Sequence, residues 1–190
     1  ILWNIPYDLM INTRATATAT VSNFTRNRLL SSSALRRNMR VIYNGITFDD
    51  LESVEQKKRQ LCYQENVIHI GVVGNFQSNK GQYEAIKAIA KVTKTTQYPL
   101  QVFLLGNNYD QTYFNKCSML IYELGLSNCI QIHQGIYNAR EYFCLFDITL
   151  VSSLYNESFG LISIESMRAG VPVIAFACEG VTEVISDMQD

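Results

Sequence analysis

The sequence predicts an α/β fold, a parallel sheet with helices on both faces. Three observations carry this. Apolar runs rich in β-branched residues, such as Val67-Ile68-His69-Ile70-Gly71-Val72-Val73, have the near-continuous hydrophobicity of strands covered on both sides. Segments with apolar residues at helical spacing alternate with those runs. Short loops join the two kinds of element, which implies βαβ units with right-handed crossovers.

The regular series opens with the strand at 67–73, which ends at Gly74. After a polar loop comes a helix with Tyr83, Ile86, Ile89, Ala90 and Thr93 on one face. Val102-Phe103-Leu104-Leu105 is the next buried strand, stopped by Gly106-Asn107-Asn108. Tyr113, Phe114, Cys117, Leu120, Ile121 and Leu124 mark a second amphipathic helix, which Gly125 ends. A strand at 129–133, a short helix near 138–145, a strand at 147–151, a helix near 160–169 and a strand at 172–176 complete the series. The first 65 residues are less regular. The alternation Ala15-Thr16-Ala17-Thr18-Ala19-Thr20-Val21 fits a strand or part of a helix. Ser22 or Asn23 can cap a short helix after it, and the stretch 41–46 reads as a short strand entering an Asn-Gly turn. Residues 1–45 are expected to be the tail of a preceding domain and a hinge, and 46–190 a ligand-binding domain truncated at its C-terminal end. With Ile1 first, the sequence reads as an excerpt from a longer chain.

Over 190 residues the chain is 47% apolar and 17% charged, which fits one globular domain, or one domain with a fragment of a neighbour. It contains no run of about 18 apolar residues that would read as a membrane span. Cys62, Cys117, Cys129, Cys144 and Cys178 are widely spaced, without a C-x-x-C pair or a Cys/His cluster. They read as small buried hydrophobes in a reducing, cytoplasmic compartment, and no metal site is expected. The net charge of −1 conceals six arginines against one acid in residues 1–40. Those bases lie on a Thr/Ser/Asn-rich segment and not on the folded core, which argues against nucleic acid as a partner. The segment is either a solvated linker or a patch drawn to the anionic inner face of a membrane.

In open parallel sheets, ligands bind beyond the carboxyl ends of the strands. That rule singles out the loops 74–80, 106–108, 134–137, 152–160 and 177–182. The loop 152–160 runs into a helix starting near Phe159 or Gly160, whose free N–H groups and positive dipole end suit a phosphate. Gly160 lets a ligand approach the backbone closely. Glu165, about one and a half turns into the helix, can accept both hydroxyls of a ribose diol. Glu157, still in the loop, is nearer the reacting end of a ligand. The competing reading makes Glu165 the partner of Arg168 at i+3 and Glu157 a helix-start acid. In Gly74-Asn75-Phe76-Gln77-Ser78-Asn79-Lys80-Gly81, Lys80 opens a helix, where the dipole disfavours a cation unless an anion sits there. The loop is not a Walker A sequence, and no G-x-G-x-x-G exists in the chain. His69 and His133 have no nucleophile motif beside them and read as structural.

Together, Glu157-Ser158-Phe159-Gly160, Glu165, Met167 and Ala169-Gly170-Val171-Pro172-Val173-Ile174 resemble the E-x7-E signature of retaining GT-B glycosyltransferases of family 4, the glycosyl transferases group 1. Val21-Ser22, Val41-Ile42-Tyr43-Asn44-Gly45, Lys80-Gly81, Gly106, Gln134-Gly135, Asp147 and Ser152-Ser153 follow in the order of that family, so the resemblance covers about residues 18–185. It implies two Rossmann-like domains around a cleft, this chain being the C-terminal one that binds the nucleotide-sugar donor, UDP- or GDP-linked. No metal or other cofactor is implied. Lys80 resembles the lysine on the donor diphosphate, Glu165 the ribose-binding glutamate and Glu157 the glutamate facing the transferred sugar. Gly74, Asn75, Ser158, Phe159, Gly160 and Leu161 complete the implied donor site. A glycan or lipid-linked acceptor would be held by the missing N-terminal domain. Two positions depart from the pattern: Asn75 replaces a usual Arg and Glu179 a usual Gly. They keep open the reading of a non-catalytic partner subunit of the same fold; a sugar-nucleotide epimerase on a related scaffold is the other alternative.

Overall fold

The computed structural model describes residues 17–32, 39–46 and 54–186. The chain runs β1 (Thr18–Thr20), α1 (Asn23–Ser32), β2 (Met39–Val41), α2 (Val54–Gln60), β3 (Ile68–Val73), α3 (Gln82–Val92), β4 (Leu100–Leu105), α4 (Gln111–Glu123), β5 (Ile130–His133), β6 (Ile148–Val151), α5 (Leu161–Arg168) and β7 (Val173–Ala175). Single 3-10 segments span Ser78–Lys80, Ala139–Leu145 and Glu179–Glu183. The open choice for residues 15–21 resolves to a strand at 18–20; residues 1–16 and 33–38 of the proposed tail lie outside the described residues.

Strands β3 to β7 form one parallel sheet in the order β5-β4-β3-β6-β7. Both faces are covered because β4 is apolar on both. Val102 and Leu104 join Ile86, Ile89, Cys117 and Ile121 of α3 and α4 in one core. Phe103 and Leu105 point into the other, with Leu61, Phe143, Phe146 and Val171. This is why the strand sequences read as unbroken apolar runs and do not alternate. Gly71 in β3 has a packing role: a Cβ there would lie 2.2 Å from the Phe146 ring. Strands β1 and β2 pair only with each other among the described residues. Ser22 Oγ accepts the Thr25 N–H at 3.0 Å, the cap expected for α1.

Cys117 and Cys178 are buried as expected, Cys129 and Cys144 are half-buried, and Cys62 departs from the expectation. Cys117 is fully buried, and burial pushes its thiol up to about 11. Cys62 is exposed, because it sits in the turn after α2 with a left-handed φ of 51°.

His69, at the start of β3 and away from the ligand edge, is structural. Its ring stacks on Tyr63 at 3.8 Å, Nδ1 lies 3.1 Å from Asp147 Oδ2, and Nε2 lies 2.8 Å from the Gln64 carbonyl. Replacing this buried ring with alanine removes both the stack and the two polar links. His69→Ala should cost about 3 kcal/mol, read as a lower urea midpoint at unchanged m-value.

Candidate functional site

From β3 the chain proceeds outward to β4 and β5, and from β6 outward to β7. The strand order therefore reverses between β3 and β6, and open parallel sheets bind ligands beyond the carboxyl ends of the strands at such a switch point. The loops after these two strands hold the residues singled out in the sequence. Lys80 ends the 3-10 turn Ser78–Lys80, and α3 starts two residues later, so the lysine precedes the helix and does not open it. Its Nζ lies 2.7 Å from Glu157 Oε2, with only 27% and 16% of the two side chains exposed. Ser153 Oγ donates to the same carboxylate oxygen at 2.9 Å.

Close backbone contacts bring the two loops together. The Leu154 N–H donates to the Asn79 carbonyl, and Ser152 Oγ donates to the Lys80 carbonyl, both at 2.8 Å. Gly81 has φ 65°, and a Cβ on it would lie 2.0 Å from the Ser152 carbonyl oxygen. Only glycine fits both the backbone angle and the approach. Gly106 plays the same part between the β3 and β4 loops, since its Cβ would meet the Gly74 carbonyl oxygen at 2.0 Å. Buried Gln82 ties that loop down, donating from Nε2 to the carbonyls of Gly74 and Asn75 at 3.0 Å. The Asn75 side chain is engaged as well: Oδ1 accepts the Asn107 N–H at 3.2 Å.

After Glu157 the chain turns sharply into α5. Asn156 has φ 57° and Gly160 φ 91°. Gly160 occupies the N-cap position without a side-chain cap, which leaves the first amides of α5 to other acceptors. Phe159 is buried and stacks on Tyr43 at 5.7 Å, whereas Ser158 and Leu161 are exposed. Glu165 is partly buried inside α5. Burial pushes its carboxyl above the ordinary 4.5, while the charges of Arg140 and Arg168 pull the other way. Arg168 is thus one of two cations near Glu165, so the i+3 pairing alone does not describe its surroundings.

Sequence reasoning left two carboxylates without a role. Glu179 Oε2 accepts the Glu157 N–H at 2.7 Å, and the Gly180 N–H donates to the Glu157 carbonyl at 2.9 Å. Glu179 stands where the resemblance expects glycine, and it keeps a glycine-like φ of 42°. The tight approach falls on Gly180 instead, where a Cβ would lie 2.3 Å from the Ser158 carbonyl oxygen. Glu183 reaches α1: Oε2 accepts the Asn23 N–H at 2.9 Å and Oε1 the Phe24 N–H at 2.5 Å. A departure from glycine at 179 was the available signal for the first; nothing local signalled the second.

A family model described as glycosyl transferases group 1 matches residues 53–190. A 41.2 kDa protein in the cps region of Klebsiella pneumoniae is 30% identical over 161 residues, covering 80% of this chain and 40% of that protein. The D-inositol 3-phosphate glycosyltransferase of Corynebacterium jeikeium is 31% identical over 134 residues, 65% of this chain and 30% of that enzyme. The chain therefore spans well under half the length of these relatives. Among solved structures, Anabaena Alr3699/HepE in complex with UDP and glucose superposes with a TM-score of 0.82 at 23% identity, over 94% of this chain and 49% of that one. No helix among the described residues is long and apolar enough to cross a membrane. The chain belongs to the glycosyl transferases group 1 family.

Proposed function

We propose that this chain is the donor-binding part of a retaining glycosyltransferase of family 4. The whole protein would move a hexose from a nucleotide diphosphate sugar to a glycan or lipid-linked acceptor. The observation that carries this reading is the Lys80–Glu157 pair at 2.7 Å across the switch point of the sheet, beside the uncapped start of α5. Lys80 is a compact cation with three donors, so it can keep Glu157 and also neutralise a diphosphate leaving group. Gly74, Asn75 and the backbone of Ser158-Phe159-Gly160-Leu161 line the donor site, with the α5 amides directed at phosphate or sugar oxygens. Glu157 holds the transferred sugar, and Glu165 accepts the ribose hydroxyls. UDP is the favoured nucleotide, because solved HepE structures contain UDP and UDP-glucose; GDP is the alternative. Residues 1–45 belong, in this reading, to the acceptor domain and hinge, and 46–190 to the donor domain. A cytoplasmic location at the inner membrane face goes with it, the arginine-rich N-terminal segment meeting anionic lipid.

The test follows the slow transfer of glucose from UDP-glucose to water by the full-length protein, using proton NMR. Release of UDP with the α-anomer formed first supports a retaining transferase. The β-anomer first would make the enzyme inverting. A new nucleotide-sugar without release of UDP would make it an epimerase, and no reaction with UDP-glucose or, in a parallel run, GDP-glucose would favour the non-catalytic subunit.

The raised Glu165 carboxyl adds a pH signature. Only the ionised form accepts both ribose hydroxyls, so UDP affinity should fall as pH drops through a pKa above 4.5. Titrations across this range should show that step in wild type and not in Glu165→Gln. At neutral pH, Glu165→Gln should bind about 10-fold or more weakly.

A further inference from the structure

The 3-10 turn Glu179–Glu183 carries two carboxylates four residues apart, and each ends on a different part of the protein. Glu179 holds the backbone N–H of Glu157, and Gly180 returns a bond to the Glu157 carbonyl, so both sides of that residue are clamped. Glu183 spreads its two oxygens over the first amides of α1 and also accepts from Asn23 Nδ2 at 3.0 Å and from the Tyr43 hydroxyl at 3.3 Å. A carboxylate at a helix N-terminus is favoured by the free N–H groups and the dipole. Desolvation raises the exposed Glu183 carboxyl, but the Phe24 and Asn23 N–H groups, with Asn23 Nδ2 and the Tyr43 hydroxyl, outweigh it and hold the group below its ordinary range. Three further contacts join the same two regions. Tyr43 stacks on Phe159, Arg28 Nη1 donates to Asn156 Oδ1 at 3.2 Å, and Thr25 Oγ1 donates to the Ser158 carbonyl at 3.5 Å. All three land within two residues of Glu157.

We propose that the Glu179–Glu183 turn is a brace through which the β1–α1–β2 unit positions Glu157 against Lys80, with Glu179 and Glu183 as its two positioning residues. The proposal deepens the donor-site reading and rests on it for the catalytic consequence. Neither acid touches Lys80 in the structure; each acts through backbone held at both ends of the turn.

Glutamine serves as a probe at one end and as a rescue at the other. In Glu183→Gln, one oxygen becomes an amide donor and faces a backbone N–H. In Glu179→Gln, the remaining carbonyl can still accept the Glu157 N–H. Glu179→Gly removes the whole side chain but suits the φ of 42°, so the backbone there is not strained by the change.

The experiment uses the full-length protein with two readouts. Amide exchange should rise at Asn23 and Phe24 in Glu183→Gln, and also at Glu157 through the brace. With UDP-glucose, Glu183→Gln and Glu179→Gly should each lower kcat about 10-fold while the UDP dissociation constant stays within about twofold. Glu179→Gln should recover most of the loss, and the double variant should lose less than the product of the singles. Unchanged exchange at Glu157 in Glu183→Gln, or wild-type kcat in both probing variants, overturns the proposal. If the wild-type protein turns over no nucleotide-sugar, the donor-site reading fails, and amide exchange alone decides the brace.

Discussion

On the proposed donor site, Lys80→Ala should lower kcat of the full-length protein by about 10²–10³-fold, and Glu157→Gln should cost a comparable factor. The size follows from where the charges sit. Both side chains are more than two-thirds buried, so their 2.7 Å contact lies in a medium of lower effective dielectric than water. In the proposed transfer, negative charge grows on the leaving diphosphate as the sugar–phosphate bond breaks, and a fixed ammonium would meet it without reorganisation. Removing Lys80 also leaves the Glu157 carboxylate with the Ser153 hydroxyl as its one remaining side-chain donor among the described residues. With the ammonium gone, that carboxylate is no longer held in place from the β3 loop, so the alanine variant loses part of Glu157's positioning too. Lys80→Arg keeps the charge but carries a planar fork in place of a point cation, and it should recover only part of the rate. Steady-state kinetics with UDP-glucose, alongside circular dichroism for folding, reads this directly. Rates within about threefold of wild type in Lys80→Ala would remove Lys80 from the mechanism.

Gly81→Ala should be the most damaging single-methyl substitution in the site. A non-glycine residue at φ 65° costs about 1–2 kcal/mol, and the new Cβ would sit 2.0 Å from a backbone oxygen that cannot rotate away. Adding about 1–3 kcal/mol for overpacking brings the loss to roughly 3 kcal/mol. The damage is directional, because the oxygen belongs to Ser152, in the loop that carries Glu157. Relief requires that loop to move away from Lys80. Gly125→Ala is the control: it has φ 67° with nothing within 4 Å of its Cβ, so it bears the backbone cost without the clash. Urea unfolding should separate the two by the clash term, and only Gly81→Ala should lose UDP-glucose turnover.

These expectations show what sequence can and cannot carry. The strands of the five-stranded sheet were legible because burial on both faces erases alternation, and Val102-Phe103-Leu104-Leu105 feeds two cores at once. The end of α4 was legible because Gly125 takes a left-handed angle there. The loops at the ligand edge followed from the alternation of elements and the switch-point rule alone. The pairing of Lys80 with Glu157 was another matter. The two are 77 residues apart, and only the strand order β3-β6 makes them neighbours. Likewise Ser22 as a cap for α1 is a local signal, whereas Glu183 caps the same helix from 160 residues away. Asn75 fits a donor loop by position, yet its side chain is spent on the Asn107 amide. Cys62 reads as a core residue by composition, but a left-handed turn turns it outward.

The most direct measurement is calorimetric titration of UDP, UDP-glucose and GDP into the full-length protein, beside Lys80→Ala and Glu165→Ala. A donor site at the switch point predicts saturable one-to-one binding, weakened about 10-fold or more in each variant, as expected when a charged hydrogen-bonding partner is lost. Binding of equal strength in all three proteins, or none to UDP or GDP in any of them, would contradict a donor site built on Lys80, Glu157 and Glu165.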